Sequence, residues 1–147
     1  MAAQRSGEDI EAIEAVIARQ FGSLNWGPHG SADWTGFASD FFPDASLYPA
    51  ARPARAQTVA AFIDRMKSLA GASLRAFRQR KLGTDIHTFG NVAVALAACE
   101  NVENGTEMTR GVEAMLLVKD QGMWRIVAQA WDGESEANPI PAHLRSK

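Results

Sequence analysis

Cysteine is almost missing from this chain: one residue, Cys99, among 147. A lone thiol excludes an internal disulfide and a multi-cysteine zinc site. Within Val94-Ala95-Leu96-Ala97-Ala98-Cys99 it reads as a small buried hydrophobe rather than a nucleophile. Histidine is scarce as well. His29, His87 and His143 lie far apart with no metal-ligand spacing, so no metal and no cofactor are expected. Charge of one sign is also lacking: 15 Lys and Arg against 17 Asp and Glu give a net charge of -2. That balance supplies no electrostatic drive toward nucleic acid or an anionic membrane. The densest basic run, Arg75, Arg78, Arg80 and Lys81, reads as a solvated strand face. Its cations are not interleaved with aromatics, so base stacking has no support either.

Long apolar runs are missing too. Nothing approaches the roughly 20 residues a membrane span needs, and Ala2 to Ile10 is polar and acidic, unlike a secretory leader. A cytoplasmic protein is expected. There is no G-x-S-x-G elbow, no P-loop and no G-x-G-x-x-G. What remains is an ordinary globular composition, 46% hydrophobic and 22% charged, in a chain long enough for one domain with a real core. We expect that domain over 7–132, with an irregular tail over 133–147 that carries Pro139 and Pro141.

The first half has helical periodicity. Ile10, Ile13, Val16, Ile17, Phe21 and Leu24 form one apolar stripe after the acidic start Gly7-Glu8-Asp9, and Gly27 and Pro28 stop it. Asp33 caps a short helix to Ser39, and Thr58 caps a third over Val59 to Leu69, which Gly71 ends. Between them Phe41 to Tyr48 reads as a turn into a short strand. The second half reads as strands: Leu74 to Thr88, with Gly83 as the point where it can bend, then Val92 to Val102, Glu107 to Lys119 and Met123 to Trp131. Gly90-Asn91, Asn104-Gly105 and Gln121-Gly122 separate them, and Asn-Gly between alternating apolar residues is a strong hairpin signal. Helices followed by a meander predict an α+β fold, with the N-terminal helices packed in the concave face of a curved, mainly antiparallel sheet.

Three motifs bear on family. Phe41-Phe42-Pro43-Asp44-Ala45-Ser46-Leu47 resembles the strand entry of the nuclear transport factor 2-like superfamily. Phe89-Gly90-Asn91-Val92-Ala93 resembles its turn into a middle strand, and Gly122-Met123-Trp124-Arg125-Ile126 its closing hairpin. Arg110-Gly111-Val112 and the stretch from Trp131-Asp132 to Pro141 resemble an uncharacterised bacterial branch. The likeness spans about Glu8 to Asp132. It implies a polyketide cyclase-like, cystatin-like cone with an apolar pocket, and commonly a homodimer through the outer face of the sheet. It implies no single activity, because such cones host isomerases, dehydratases, cyclases and plain binding modules.

Strand register then nominates a site. Two-residue turns throughout would set Asp85 opposite Leu96, Leu96 opposite Glu113 and Glu113 opposite Ala130. One face would read His87, Val94, Met115, Ala128, and its next row Asp85, Leu96, Glu113, Ala130. On that face Glu113 would be a carboxyl of raised pKa, with His87 and Asp85 as proton-transfer partners. The competing reading places Glu113 and His87 on a rim, or in pairs with Arg110 or Arg125. Glu100, opposite Lys81 in that register, reads as a cross-strand ion pair. Trp26, Trp34, Tyr48, Phe62, Met66, Met115 and Trp131 are candidate pocket walls for an apolar small molecule, against the alternative of ordinary core. Asp132 is either a mouth carboxylate or a turn residue. The opposite, alanine-rich face (Ala93, Ala95, Ala97, Val112, Ala114) would serve a dimer. The functions open at this point are a cofactor-free acid–base isomerase, dehydratase or cyclase, and a non-catalytic binding or dimerisation module.

Overall fold

A computed structural model describes residues 2–145, with side chains described from Ser6 onward. The apolar stripe of the first segment forms helix α1 (Ala2–Ser23), which starts before the acidic cluster expected to open it. Ile13, Val16, Ile17 and Phe21 are buried on its inner face, each side chain stabilising the fold by roughly 1.5–3 kcal/mol. Its last carbonyls would be orphaned without partners. Asn25 meets that need, donating from Nδ2 to the Phe21 and Gly22 carbonyls, while its Oδ1 accepts from the Gln79 amide at 2.8 Å. One side chain thus ends the helix and fixes the sheet beneath it.

Helix α2 (Trp34–Ser39) is capped by Asp33, whose Oδ1 accepts from the Gly36 amide. Strand β1 (Phe41–Tyr48), a short β2 (Gln57–Thr58) and helix α3 (Val59–Ala70) follow, α3 being capped by the Thr58 hydroxyl and closed at Gly71. Four long strands complete the meander: β3 (Phe77–Phe89), β4 (Val92–Glu103), β5 (Glu107–Asp120) and β6 (Met123–Gly133). Sheet order is β2-β1-β6-β5-β4-β3, antiparallel except where β1 runs parallel to β6. This is the expected α+β architecture, helices on one side of a curved, mainly antiparallel sheet.

Polar side chains tie α1 across the concave face. Arg19 makes a two-pronged bond to Asp40 at 2.8 and 3.1 Å. Glu14 accepts from Lys81 and Thr84 of β3, and Asp9 accepts from Lys119 of β5 and the Trp124 indole of β6. Beneath the helix, Ala93, Ala95 and Ala97 of β4 are buried in the same core as Ile13 and Ile17. They were expected on the outer, dimer-forming face. Their small side chains instead leave room for α1.

The concave face is thus the alanine face of β4 and not the face of Asp85 and His87, and the turns decide which way β5 and β6 then point. Phe89 pairs with Val92 and Asp120 with Met123, as two-residue turns require, and Gln121 and Gly122 take positive φ. Asn104 and Gly105 also take positive φ, but Thr106 is one residue too many, so Glu103 pairs with Glu107. The insertion moves β5 by one residue and turns Glu113 to the other face. A bulge at Val127, opposite Leu116 and Leu117, moves β6 by one more and cancels the slip there. The resulting outer rows are His87, Val94, Leu116, Ala128 and Asp85, Leu96, Ala114, Ala130. A second bulge, between Lys81 and Gly83, sets Glu100 opposite Arg80 rather than Lys81.

The tail is irregular apart from one 3-10 turn at Ala142–Leu144. It is anchored, however: Ile140 and Leu144 are buried against Leu82 and Ala98 on the outer side of the sheet. No described helix is long and apolar enough to cross a membrane.

Candidate active site

The concave face does not fill completely with side chains. Between β1, α3 and the far ends of β3 to β6 lies a cavity of about 590 Å³, a size typical of small-molecule sites. Phe37, Phe62 and Trp131 make one wall, Phe62 stacked on Phe37 at 5.3 Å and edge-on to Trp131 at 5.7 Å. Met66, Leu47 and Leu24 add to it.

Into this space β5 places Glu113, between Ala97 of β4 and Trp131 of β6. The carboxyl is buried, and burial pushes its pKa up from 4.5 to about 7, opposed in part by a hydrogen bond from Gln129. Gln129 Nε2 donates to Glu113 Oε1 at 2.6 Å. Gln129 is itself clamped: its amide and that of Gln20 on α1 exchange two hydrogen bonds of 2.9 Å. The chain from α1 through Gln129 therefore fixes one carboxyl oxygen. Glu113 Oε2 has no hydrogen-bond partner among the described residues. Across the cavity, Gln79 and Asn101 face each other on β3 and β4, and Gln79 Oε1 and Asn101 Oδ1 are buried with no partner. Two unpaired acceptors in such a place suit a ligand that brings a hydroxyl or N–H group. Cys99 lies near this polar set. Burial first, and then the charge of Glu113, push its thiol up to about 12, so it is no nucleophile.

The nominated residues divide. Glu113, Phe62, Met66 and Trp131 line the cavity. Asp85 and His87 do not: they sit on the outer face, 2.9 Å apart, with His143 of the tail 3.5 Å from Asp85. The proposed convergence of Glu113 with His87 and Asp85 is therefore corrected, because the Thr106 insertion puts them on opposite sides of the sheet. Trp26 and Trp34 do not line the cavity: their rings lie 5.6 Å apart and tilted by 48°, the Trp26 indole donating to the Leu74 carbonyl, and Met115 is buried core. Tyr48 is half-exposed on the outer face, lining a shallow groove there. Glu100 forms ion pairs with Arg80 and Arg110, which hold its carboxyl below its ordinary value. Asp132 accepts from the next amide, Gly133, as a turn residue does, and does not line the cavity.

Sequence reading passed over Gln20, Gln129, Gln79 and Asn101. Gln20 carried a usable signal: it is a polar residue on the apolar stripe of α1, and it is 1% exposed. Gln129 carried none, since only the bulge at Val127 turns it inward.

The raised pKa makes folding pH-dependent. A folded carboxyl that titrates near 7 holds its proton more tightly than an unfolded one near 4.5. The folded state then binds more protons in that window, and stability falls as pH rises through it. Glu113→Gln removes the titration and keeps an acceptor for Gln129. Urea denaturation should show a flatter fall, with the variant roughly 2–3 kcal/mol more stable than the parent at pH 8. A variant less stable than the parent at pH 8 would contradict the burial of an ionisable carboxyl.

No family model matches the chain, and no curated protein matches it in sequence. Solved structures do match in shape. A scytalone dehydratase candidate from Novosphingobium aromaticivorans superposes with a TM-score of 0.73 at 13% identity, covering 99% of this chain and 97% of its own. A hexachlorocyclohexane dehydrochlorinase from Novosphingobium barchaimii gives 0.70 at 10% identity, over 87% of this chain and 88% of its own. A nuclear transport factor 2-like protein of unknown function from Shewanella baltica gives 0.63 at 14% identity, over 88% and 96%. The order of elements, the half-wrapped helix and these superpositions agree: the chain has the nuclear transport factor 2-like, cystatin-like α+β fold.

Proposed function

We propose that the protein takes an apolar small molecule into the concave cavity and that Glu113 moves a proton on it, as in an isomerase, dehydratase or cyclase. The observation that carries this reading is Glu113 itself, a buried carboxyl held near 7 with one oxygen fixed by Gln129. At neutral pH such a group is present in both forms, as a general base or acid must be. Ionised, it takes a proton from carbon next to a carbonyl; protonated, it returns that proton or delivers it to a leaving hydroxyl. Phe62 and Trp131 hold the apolar body and exclude water. Two structural neighbours bear the names of a dehydratase and a dehydrochlorinase, both eliminations. Deuterium exchange at the α-carbon of 2-tetralone, an apolar ketone, tests the reading. Catalysed exchange should rise with pH through about 7, and Glu113→Gln should lose about 100-fold or more of it. Exchange no faster than in buffer, or unchanged in the variant, would overturn it.

The outer face supports a second, compatible reading, a homodimer through the sheet. Val92, Val94, Leu96 and Leu116 are exposed there, each at least 38%. With Tyr48, Ala114, Ala128 and Ala130 most of them line a continuous apolar groove. Light scattering after size exclusion should give twice the chain mass of 15.9 kDa, and Leu116→Lys should return it to the monomer. A monomer in the parent protein contradicts this reading and leaves the first untouched.

A further inference from the structure

The cavity lining has a charge opposite to that of the chain. Its ionisable residues are Arg52, Arg55, Arg65 and Glu113, three cations against one carboxyl, in a protein of net charge -2. The cations are not at the inner end with Glu113. Arg52 and Arg55 come from the exposed loop between β1 and β2, and Arg65 from the exposed side of α3, next to Phe62 and Met66 at helical spacing. They form a rim; the apolar wall and Glu113 lie within.

These arginines carry no ion pair among the described residues, which they share with Lys67, Arg75, Arg78, Arg125 and Arg145 but not with the cations that tie the fold. Arg19, Arg80, Lys81, Arg110 and Lys119 each have a carboxylate within 3.1 Å. Among the described residues, Arg52, Arg55 and Arg65 have none within 4.0 Å. Arg52 is nonetheless held, one guanidinium nitrogen donating to the carbonyls of Pro49, Ala50 and Ala51 at 3.0 to 3.4 Å. Its remaining N–H groups have no acceptor among the described residues. A guanidinium fixed by its own loop, with two more unpaired arginines on the lining of the same cavity, is a preorganised receptor for a planar anion, because its fork matches a carboxylate in two places.

We infer that the ligand of this cavity is an amphipathic organic acid, with its apolar body against Phe62 and Trp131 and its carboxylate on the arginine rim. The inference rests on the reading that the cavity is the binding site, and it narrows the ligand class from apolar compounds in general to apolar acids. The rim performs two jobs. It orients the ligand with its uncharged end toward Glu113, and it keeps a second negative charge away from that carboxyl. It also raises the local concentration of anions at the mouth.

A matched pair of probes tests this: 2-naphthoate and its uncharged isostere 2-naphthamide, titrated by calorimetry, with the Trp131 indole N–H signal reporting cavity occupancy. In the parent protein at about 50 mM salt, naphthoate should bind about tenfold tighter than naphthamide, and the preference should shrink at about 500 mM salt. In Arg52→Gln/Arg55→Gln/Arg65→Gln the two probes should bind alike, with naphthamide unchanged as the control for folding. Equal affinities in the parent overturn the organic-acid inference while the cavity reading stands. So does a naphthoate preference that survives in the triple variant. If neither probe moves the Trp131 signal, the inference and the cavity reading fail together.

Discussion

The loop from β4 to β5 decides what this molecule can do. Asn104 and Gly105 make the tight turn, and Thr106 adds the residue that throws β5 one step along β4. The loop is held in that form. Asn104 Oδ1 accepts from the Arg75 and Ala76 amides, and Nδ2 donates to the Ser73 carbonyl, so the segment entering β3 is bound to the turn. Because side chains alternate at every residue, the single insertion exchanges the two faces of β5. Glu113, Met115 and Leu117 go inward; Ala114 and Leu116 go outward.

With Glu113 inside, its surroundings follow from electrostatics. A carboxylate in an apolar space is costly, and it responds by holding its proton to about 7. The neighbouring polar groups are neutral amides rather than cations. Gln129 lowers the pKa through one hydrogen bond and Gln20 keeps Gln129 in place, yet neither supplies the full charge that would return Glu113 to an ordinary value. The cations of the cavity stand at its mouth instead. An inner carboxyl poised to exchange a proton and an outer rim that attracts anions are thus separated by the aromatic wall.

Most of the scaffold was legible in the sequence because local signals agreed with tertiary packing. The stripe from Ile13 to Leu24, the caps Asp33 and Thr58, and the glycine turns each act over a few residues and carry their own physics. The likeness of the Phe41, Gly90 and Gly122 motifs to the nuclear transport factor 2-like cone agreed with the fold. The site was legible only in part. Pairing of β3 with β4 near the Gly90 turn was right, since Asp85 does face Leu96. Three members of each outer row were also right, because the extra residue at Thr106 and the bulge at Val127 cancel in β6. Within these rows only β5 was displaced, and β5 carries Glu113; the side of the sheet was also reversed, because Ala93, Ala95 and Ala97 face the core. Nothing local distinguishes a two-residue Asn-Gly turn from one with an added residue; the choice is made by what β5 packs against. The arginine rim was invisible for a different reason. Arg52, Arg55 and Arg65 come from two elements that converge only in the folded chain.

The central claim is that Glu113 is a buried, titratable carboxyl at neutral pH. Carbon-13 labelling of glutamate side chains, with Glu113→Gln to assign the resonance, measures it directly. The side-chain carboxyl of Glu113 should titrate with a midpoint about 7, well above the ordinary glutamate value of about 4.3. A Glu113 midpoint near that ordinary value would contradict the account, because the carboxyl would then be solvated and unfit to exchange a proton in the cavity.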